Sequence, residues 1–187
     1  MCPGVNERPQ PPPRYAPELP LPPYAFVAPF WPHPEKDARG HSYGRPAAAP
    51  RPLEPARWRE HLGWRHAADL FNHGYYWEAH EVWEQLWHAA GRTGVVAELC
   101  KGLIKLAAAG IKVRQGRPRG VRRHALAAAR HLGQVRAALR EAGRFAGLDL
   151  GALIRAAERT AAAAGALAGD PRQPVEVVFD WRLELEP

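Results

Sequence analysis

The sequence has few of the residues that form covalent or nucleophilic sites. Its two cysteines are Cys2, in a proline-rich start, and Cys100, in a helical pattern. They argue against a disulfide framework or a four-cysteine zinc site. Ser42 is the single serine, beside His41 in GHSYG. Because neighbouring residues in a chain rarely point at each other, we expect no catalytic serine–histidine pair there.

Long apolar segments are also missing. No run approaches the ~20 apolar residues that a membrane-spanning helix needs. The first fifteen residues, MCPGVNERPQPPPRY, lack the basic segment followed by an apolar one that marks a secretory signal. We therefore expect a soluble, cytoplasmic protein that has no membrane partner.

Acidic residues are scarce in one region of this basic protein. The net charge is +7, and residues 97–147 carry twelve Lys and Arg against two Asp and Glu. Six basic residues around the GRPRG turn are candidates for binding an anion such as phosphate; they are Lys112, Arg114, Arg117, Arg119, Arg122 and Arg123. No aromatic residues interleave with them, so nucleic acid is the less favoured partner. A small anionic ligand at a helix N-terminus and a simple solvated face are the alternatives.

Proline is concentrated in one segment. Sixteen of the twenty prolines fall in residues 1–55, which therefore cannot form a regular helix. Aromatic residues in LPPYAFVAPFWPHP indicate that this arm packs on the rest of the protein from about residue 19 to residue 44. We expect residues 1–15 to be loose. The predicted organisation is an arm at 1–55, a helical bundle domain at 56–170 and an extended segment at 171–187.

The central domain repeats apolar residues at helical spacing. Five helices are predicted, at about 56–72, 75–90, 95–115, 120–142 and 148–168. Their short connections favour antiparallel neighbours, so the expected fold is an all-α, compact antiparallel multi-helix bundle.

The C-terminal VEVVFDWRLELE alternates apolar and polar residues, which is typical of an extended, one-sided segment. We expect it to pack Phe179 and Trp181 on the bundle. Its backbone would pair with the arm near residues 24–27, or with a second copy of the chain in a homodimer.

The stretch YYWEAHEVWEQLW, residues 75–87, is the densest in polar and aromatic groups. On a helix, Glu81 and Glu84 lie away from the apolar face, and His80 lies at its border. His80 and Glu84, at i and i+4, can ligate a divalent metal ion, and Glu81 can act as a base. The candidate pocket comprises Tyr76, Glu78, His80, Glu81, Glu84 and Trp87.

A structural interpretation of the same stretch stays open. HEVWE differs from the HExxH metalloprotease motif because Glu84 replaces the second histidine. His80 beside tryptophans can be a hydrogen-bonded core residue, and the glutamates can form a solvated face. Glu81 or Glu84 can also pair across the bundle with Lys101, Lys105 or Arg122, at a worth of about 1 kcal/mol or less.

The sequence resembles a known family from about residue 67 to residue 132. LFNHGYYWEAHEVWEQLW, followed by CKGLIKLAAAGIKVRQG and an alanine-rich helix, is similar to domain-of-unknown-function family 309. The signature GxYxEAHExxExxW is met by Gly74, Tyr76, Glu78, Ala79, His80, Glu81, Glu84 and Trp87, and GLIxLA by residues 102–107. The arm motifs LPPYAFV, PHP and GHSYG resemble the extension of longer members. The resemblance implies an all-helical bundle and implies no activity.

Three functional hypotheses follow, and they leave open whether the protein is an enzyme. The first is a small-ligand or protein-binding module with a pocket along the EAHE helix. The second is a metal-assisted hydrolase that uses His80, Glu81 and Glu84. The third is a nucleic-acid-associated protein that uses the basic turn at 112–123.

Overall fold

The protein is an all-α bundle in which five α-helices follow a short 3₁₀ helix. The computed structural model describes residues 12–45, 51–140 and 143–186. The 3₁₀ helix is Pro55–Glu60. The α-helices are α1, Leu62–Asn72; α2, Tyr76–Ala89; α3, Gly94–Arg114; α4, Pro118–Ala138; and α5, Leu150–Ala162. Their number and order confirm the prediction from apolar spacing. No helix among the described residues is both long and apolar enough to cross a bilayer.

The helix predicted at 56–72 is two helices. His61 separates them, because its backbone is extended, with φ −92° and ψ 94°. Its ring Nδ1 accepts a hydrogen bond from the Trp64 amide at 3.1 Å. This caps the first turn of α1, whose amides have no partner within the helix.

Helix α3 lies between α2 and α4 and provides the centre of the core. Leu99, Leu103 and Leu106 are fully buried. Gly102 approaches Leu132 on α4, while Gly120, near the start of α4, approaches Lys112 near the end of α3. The two helices are therefore antiparallel, as the short turn between them predicts.

The last helix, predicted to begin at residue 148, is preceded by a short hairpin whose two strands have two residues each. Strands β1, Arg144–Phe145, and β2, Leu148–Asp149, pair antiparallel, and α5 begins only at Leu150. The Asp149 side chain accepts the Ala152 amide at 2.8 Å, which caps α5. The preceding helix, predicted to reach 142, ends at Ala138, and residues 141–142 lie outside the described part.

The N-terminal arm packs on the bundle, and its contacts begin earlier than expected. Asp69 of α1 is fully buried and accepts the amides of Tyr15 and Ala16 at 2.7 and 2.8 Å. It also accepts the Arg14 guanidinium at 2.9 Å. The expectation that residues 1–15 are loose is therefore wrong for Arg14 and Tyr15, while residues 1–11 lie outside the described part.

The C-terminal segment is extended and packs on α1 and α2. The rings of Phe179 and Trp181 lie 5.7 and 5.5 Å from that of Phe71, which confirms the predicted packing. Asn72 binds both backbone groups of Leu183, at 2.7 and 2.8 Å.

The C-terminal segment also contacts the arm. The Ala25 amide donates to the Pro174 carbonyl at 2.8 Å, inside the predicted range 24–27. The Tyr15 hydroxyl accepts the Leu185 amide at 3.0 Å. Within the described part of the chain, these contacts are isolated rather than a continuous ladder of backbone hydrogen bonds, so the segment is extended without belonging to a sheet.

Candidate functional site

Helix α2 places its signature residues in three different environments. Its buried face carries Tyr76, Ala79, Trp83 and Leu86, which are at most 3% exposed. This is the core face that the helical spacing predicts. The polar signature residues lie either beneath the arm or on the exposed side.

Glu78 lies beneath the arm. Its side chain is 6% exposed, and Oε1 accepts the Phe26 amide at 2.9 Å and lies 3.3 Å from His41 Nε2. Its other oxygen, Oε2, is buried and has no hydrogen-bond partner among the described residues. Two separate parts of the arm therefore meet at this one carboxylate.

The neighbours His41 and Ser42 do contact each other, contrary to expectation. His41 Nδ1 lies 3.0 Å from Ser42 Oγ. An ionised Glu78 carboxylate can only accept, and with Glu78 in that state Nε2 donates to it and Nδ1 accepts from the hydroxyl. Hydroxyl, imidazole and carboxylate thus follow the order found in serine hydrolases, but with the two ring nitrogens exchanged.

His80, Glu81 and Glu84 converge on the partly exposed side of α2. One ligand atom from each lies within 4.8 Å of the other two. His80 Nδ1 lies 3.3 Å from Glu81 Oε1 and 3.8 Å from Glu84 Oε2. It is shielded from solvent and has no hydrogen bond of its own within the described chain. These are the residues proposed from the sequence as metal ligands and base.

The other two members of the predicted pocket lie apart from this cluster. The Tyr76 hydroxyl accepts the Val178 amide at 3.0 Å, and burial raises its pKa well above the ordinary value. Trp87 packs against the Arg92 guanidinium, 5.5 Å from its ring centre. The six predicted residues therefore do not form one pocket, since Tyr76 lies in the core, Glu78 lies beneath the arm and Trp87 packs on Arg92.

A cavity of about 300 Å³ does follow α2, but on another face. Val82, Gln85 and Leu86 line it opposite the 3₁₀ helix. Arg57 on that helix pairs with Glu54 and Glu60, so the charged groups at its mouth offset each other.

The predicted cross-bundle ion pairs of Glu81 and Glu84 do not form among the described residues. Glu98 instead pairs with Lys101 at 3.3 Å and with His131 at 2.6 Å. Glu81 and Glu84, beside His80, therefore have no lysine or arginine partner in the described part of the chain.

Four of the six basic candidates surround one cavity at the α3–α4 turn. It measures about 580 Å³ and is lined by Lys112, Arg117, Arg119 and Arg123, with Pro118 and Gly120. Arg122 is exposed and is not among the residues that line this cavity. Most of the basic residues that cluster in the sequence therefore line one concave surface.

Arg114 is not part of this cavity. Its side chain is 1% exposed, and Nε donates to the Asp170 carbonyl at 3.1 Å and lies 3.3 Å from Glu176 Oε2. It holds the C-terminal segment against α3. The prediction that Arg114 belongs to the anion site is wrong, because a partner 62 positions away buries it.

Positive charge at the basic cavity changes the acidity of its neighbours. Burial, with Arg117 and Arg123, lowers the pKa of Lys112. The pKa of His124 is lowered to about 4, first by burial and then by Arg123, Lys105, Lys112 and His80. His124 is therefore within electrostatic reach of both the basic cavity and the His80 cluster.

One family profile matches part of the chain. The profile described as "Domain of unknown function (DUF309)" matches residues 64–124, which include all of α2 and α3. No curated protein and no solved structure matches the chain.

Proposed function

We propose that the signature helix, which lies within the residues 64–124 that match the DUF309 profile, is a ligand-binding element and that its ligand is a divalent transition-metal ion. The ion would be held by His80, Glu81 and Glu84. The supporting observation is the approach of three ligand atoms to within 4.8 Å of one another.

The donor set fits such an ion. One imidazole and two carboxylates suit zinc, manganese, iron, cobalt or nickel. Ligand atoms around an ion at about 2.1 Å lie roughly 3–4 Å apart. Small rotations of the three side chains, which all belong to one helix, would therefore bring their ligand atoms to this spacing. Glu81 and Glu84, which have no lysine or arginine partner among the described residues, also supply the negative charge that a cation requires.

The second candidate function is metal-assisted hydrolysis. His80, Glu81 and Glu84 are 26, 32 and 42% exposed, so an ion there would stay in contact with solvent. Three protein ligands leave a coordination position for water, whose pKa a bound metal lowers.

Metal titration of untagged, chelator-treated protein tests the binding proposal. Calorimetry and elemental analysis should find about one zinc, manganese, cobalt or nickel ion per chain. His80→Asn and Glu84→Gln should weaken binding at least about tenfold.

His131→Asn is the matched control, because among the described residues His131 pairs with one carboxylate, that of Glu98. If no metal binds and none changes the melting temperature, the metal proposal is wrong. If His131→Asn weakens metal binding as much as His80→Asn does, the ion is bound at another site. Hydrolysis of 4-nitrophenyl acetate and 4-nitrophenyl phosphate, with and without the bound metal, then decides the second candidate.

A further inference from the structure

The cavity at the α3–α4 turn has a lining that carries charge of one sign. Lys112, Arg117, Arg119 and Arg123 contribute four cations and no carboxylate lies among its lining residues. We propose that this cavity binds a small phosphorylated molecule through its phosphate groups. The proposal is independent of the metal site on α2.

None of the four lining cations has a carboxylate partner among the described residues, unlike other arginines of the protein. Arg117 and Arg119 form no ion pair within residues 12–45, 51–140 and 143–186, and the Lys112 ammonium donates only to the Gln115 side chain, at 2.7 Å. By contrast, Arg114 contacts Glu176 and Arg65 contacts Glu18. Several like charges held together without a counter-charge repel one another, and a bound polyanion removes that repulsion.

Backbone geometry makes the site concave. Gly116 has a φ of 62°, which reverses the chain directly after α3. A Cβ at Gly120 would lie 3.0 Å from Lys112 Cγ, so glycine lets the lysine stem lie against the first turn of α4. That turn has no acidic residue, and no side chain caps it. Pro118 has no amide hydrogen and the Val121 amide donates to the Arg117 carbonyl at 3.1 Å. The amides of Arg119 and Gly120 therefore add to the positive potential that the four side chains create.

The size and composition of the cavity favour a small ligand over nucleic acid. A volume of about 580 Å³ is within the range of small-molecule sites. No aromatic residue lines the cavity, so it offers no surface on which unpaired bases could stack. Burial first, and then the nearby Arg117 and Arg123, lower the pKa of Lys112.

Pyrophosphate and tripolyphosphate are suitable probes, with calorimetry and thermal melting as readouts. We expect saturable binding at one site, tighter for tripolyphosphate. In the double variant Arg117→Gln/Arg119→Gln, affinity should fall at least about tenfold, because two charge-assisted hydrogen bonds are lost. The control Arg122→Gln/Arg130→Gln removes the same charge from exposed positions of α4 and should change affinity less than about twofold.

Four results would overturn the proposal. The first is no binding of either probe. The second is an equal loss in both double variants, which would show attraction to general positive charge. The third is tighter binding of a mixed-sequence RNA or DNA duplex that both double variants weaken equally. All titrations contain a chelator and are repeated in His80→Asn. Phosphate binding that needs metal would belong to the α2 site. Loss of phosphate binding in the presence of the chelator, or in His80→Asn, is therefore the fourth result that rejects the proposal.

Discussion

The carboxylate of Glu78 accepts the backbone amide of Phe26 at 2.9 Å and connects the signature helix to the N-terminal arm. Phe26 and His33 of the arm also pack edge-on against Trp77, with ring centres 5.2 and 5.3 Å apart. The first glutamate of EAHE therefore holds the arm, while the histidine and the second glutamate stay on the accessible side.

Removing this carboxylate should release the arm. Glu78→Ala leaves the Phe26 amide without its acceptor and should lower the free energy of unfolding by about 1–3 kcal/mol. Trypsin should then cut native protein faster after Lys36 and Arg39, which are exposed in the arm. Glu158→Ala, on an exposed position of α5, is the control. Unchanged stability and unchanged cleavage in Glu78→Ala would contradict this role.

Two glycines in long helices should respond oppositely to alanine. A Cβ at Gly110 would lie 2.6 Å from the buried Tyr76 ring, whereas one at Gly133 meets nothing within 4 Å. Gly110→Ala should therefore cost about 1–3 kcal/mol through overpacking. Gly133→Ala should gain up to about 1 kcal/mol from helix propensity. Urea unfolding measures both, and a Gly110→Ala variant as stable as the wild type would contradict the close packing of α2 on α3.

His124 should make the fold sensitive to acid. Burial and neighbouring cations lower its pKa from 6.5 to about 4 in the folded protein. Between these values the unfolded chain binds a proton that the folded chain does not, so stability falls as pH falls through this window. His124→Gln should lose less stability than wild type between about pH 7 and about pH 4.5. His88→Gln, at an exposed position, serves as control, and equal losses in wild type and His124→Gln would refute the effect.

The helices could be predicted because apolar spacing is a local property of the chain. The same spacing placed Tyr76 and Trp83 in the core. The start of α1 could not be predicted in this way, since the break depends on the extended backbone and ring contact of His61. The His80 cluster was also accessible from sequence, because Glu84 is four residues from His80 and three residues from Glu81, and side chains at these spacings lie close together on a helix.

The roles of Glu78 and Arg114 depend on distant parts of the chain. A helical wheel gives the direction of Glu78 but not what covers it, and the Phe26 amide is 52 positions away. Arg114 resembles the other basic residues of its turn, and only the C-terminal segment distinguishes it. The contact between His41 and Ser42 likewise depends on a carboxylate from α2 that orients the imidazole.

The bond between Tyr15 and Leu185 joins residues 170 positions apart. During synthesis the helices can begin to form from local contacts, but this bond cannot form until Leu185 has been made. Until then the apolar surface of α1 and α2 beneath the C-terminal segment is exposed. Nascent chains that end before this segment should therefore be the form that is most prone to aggregate and most in need of chaperones.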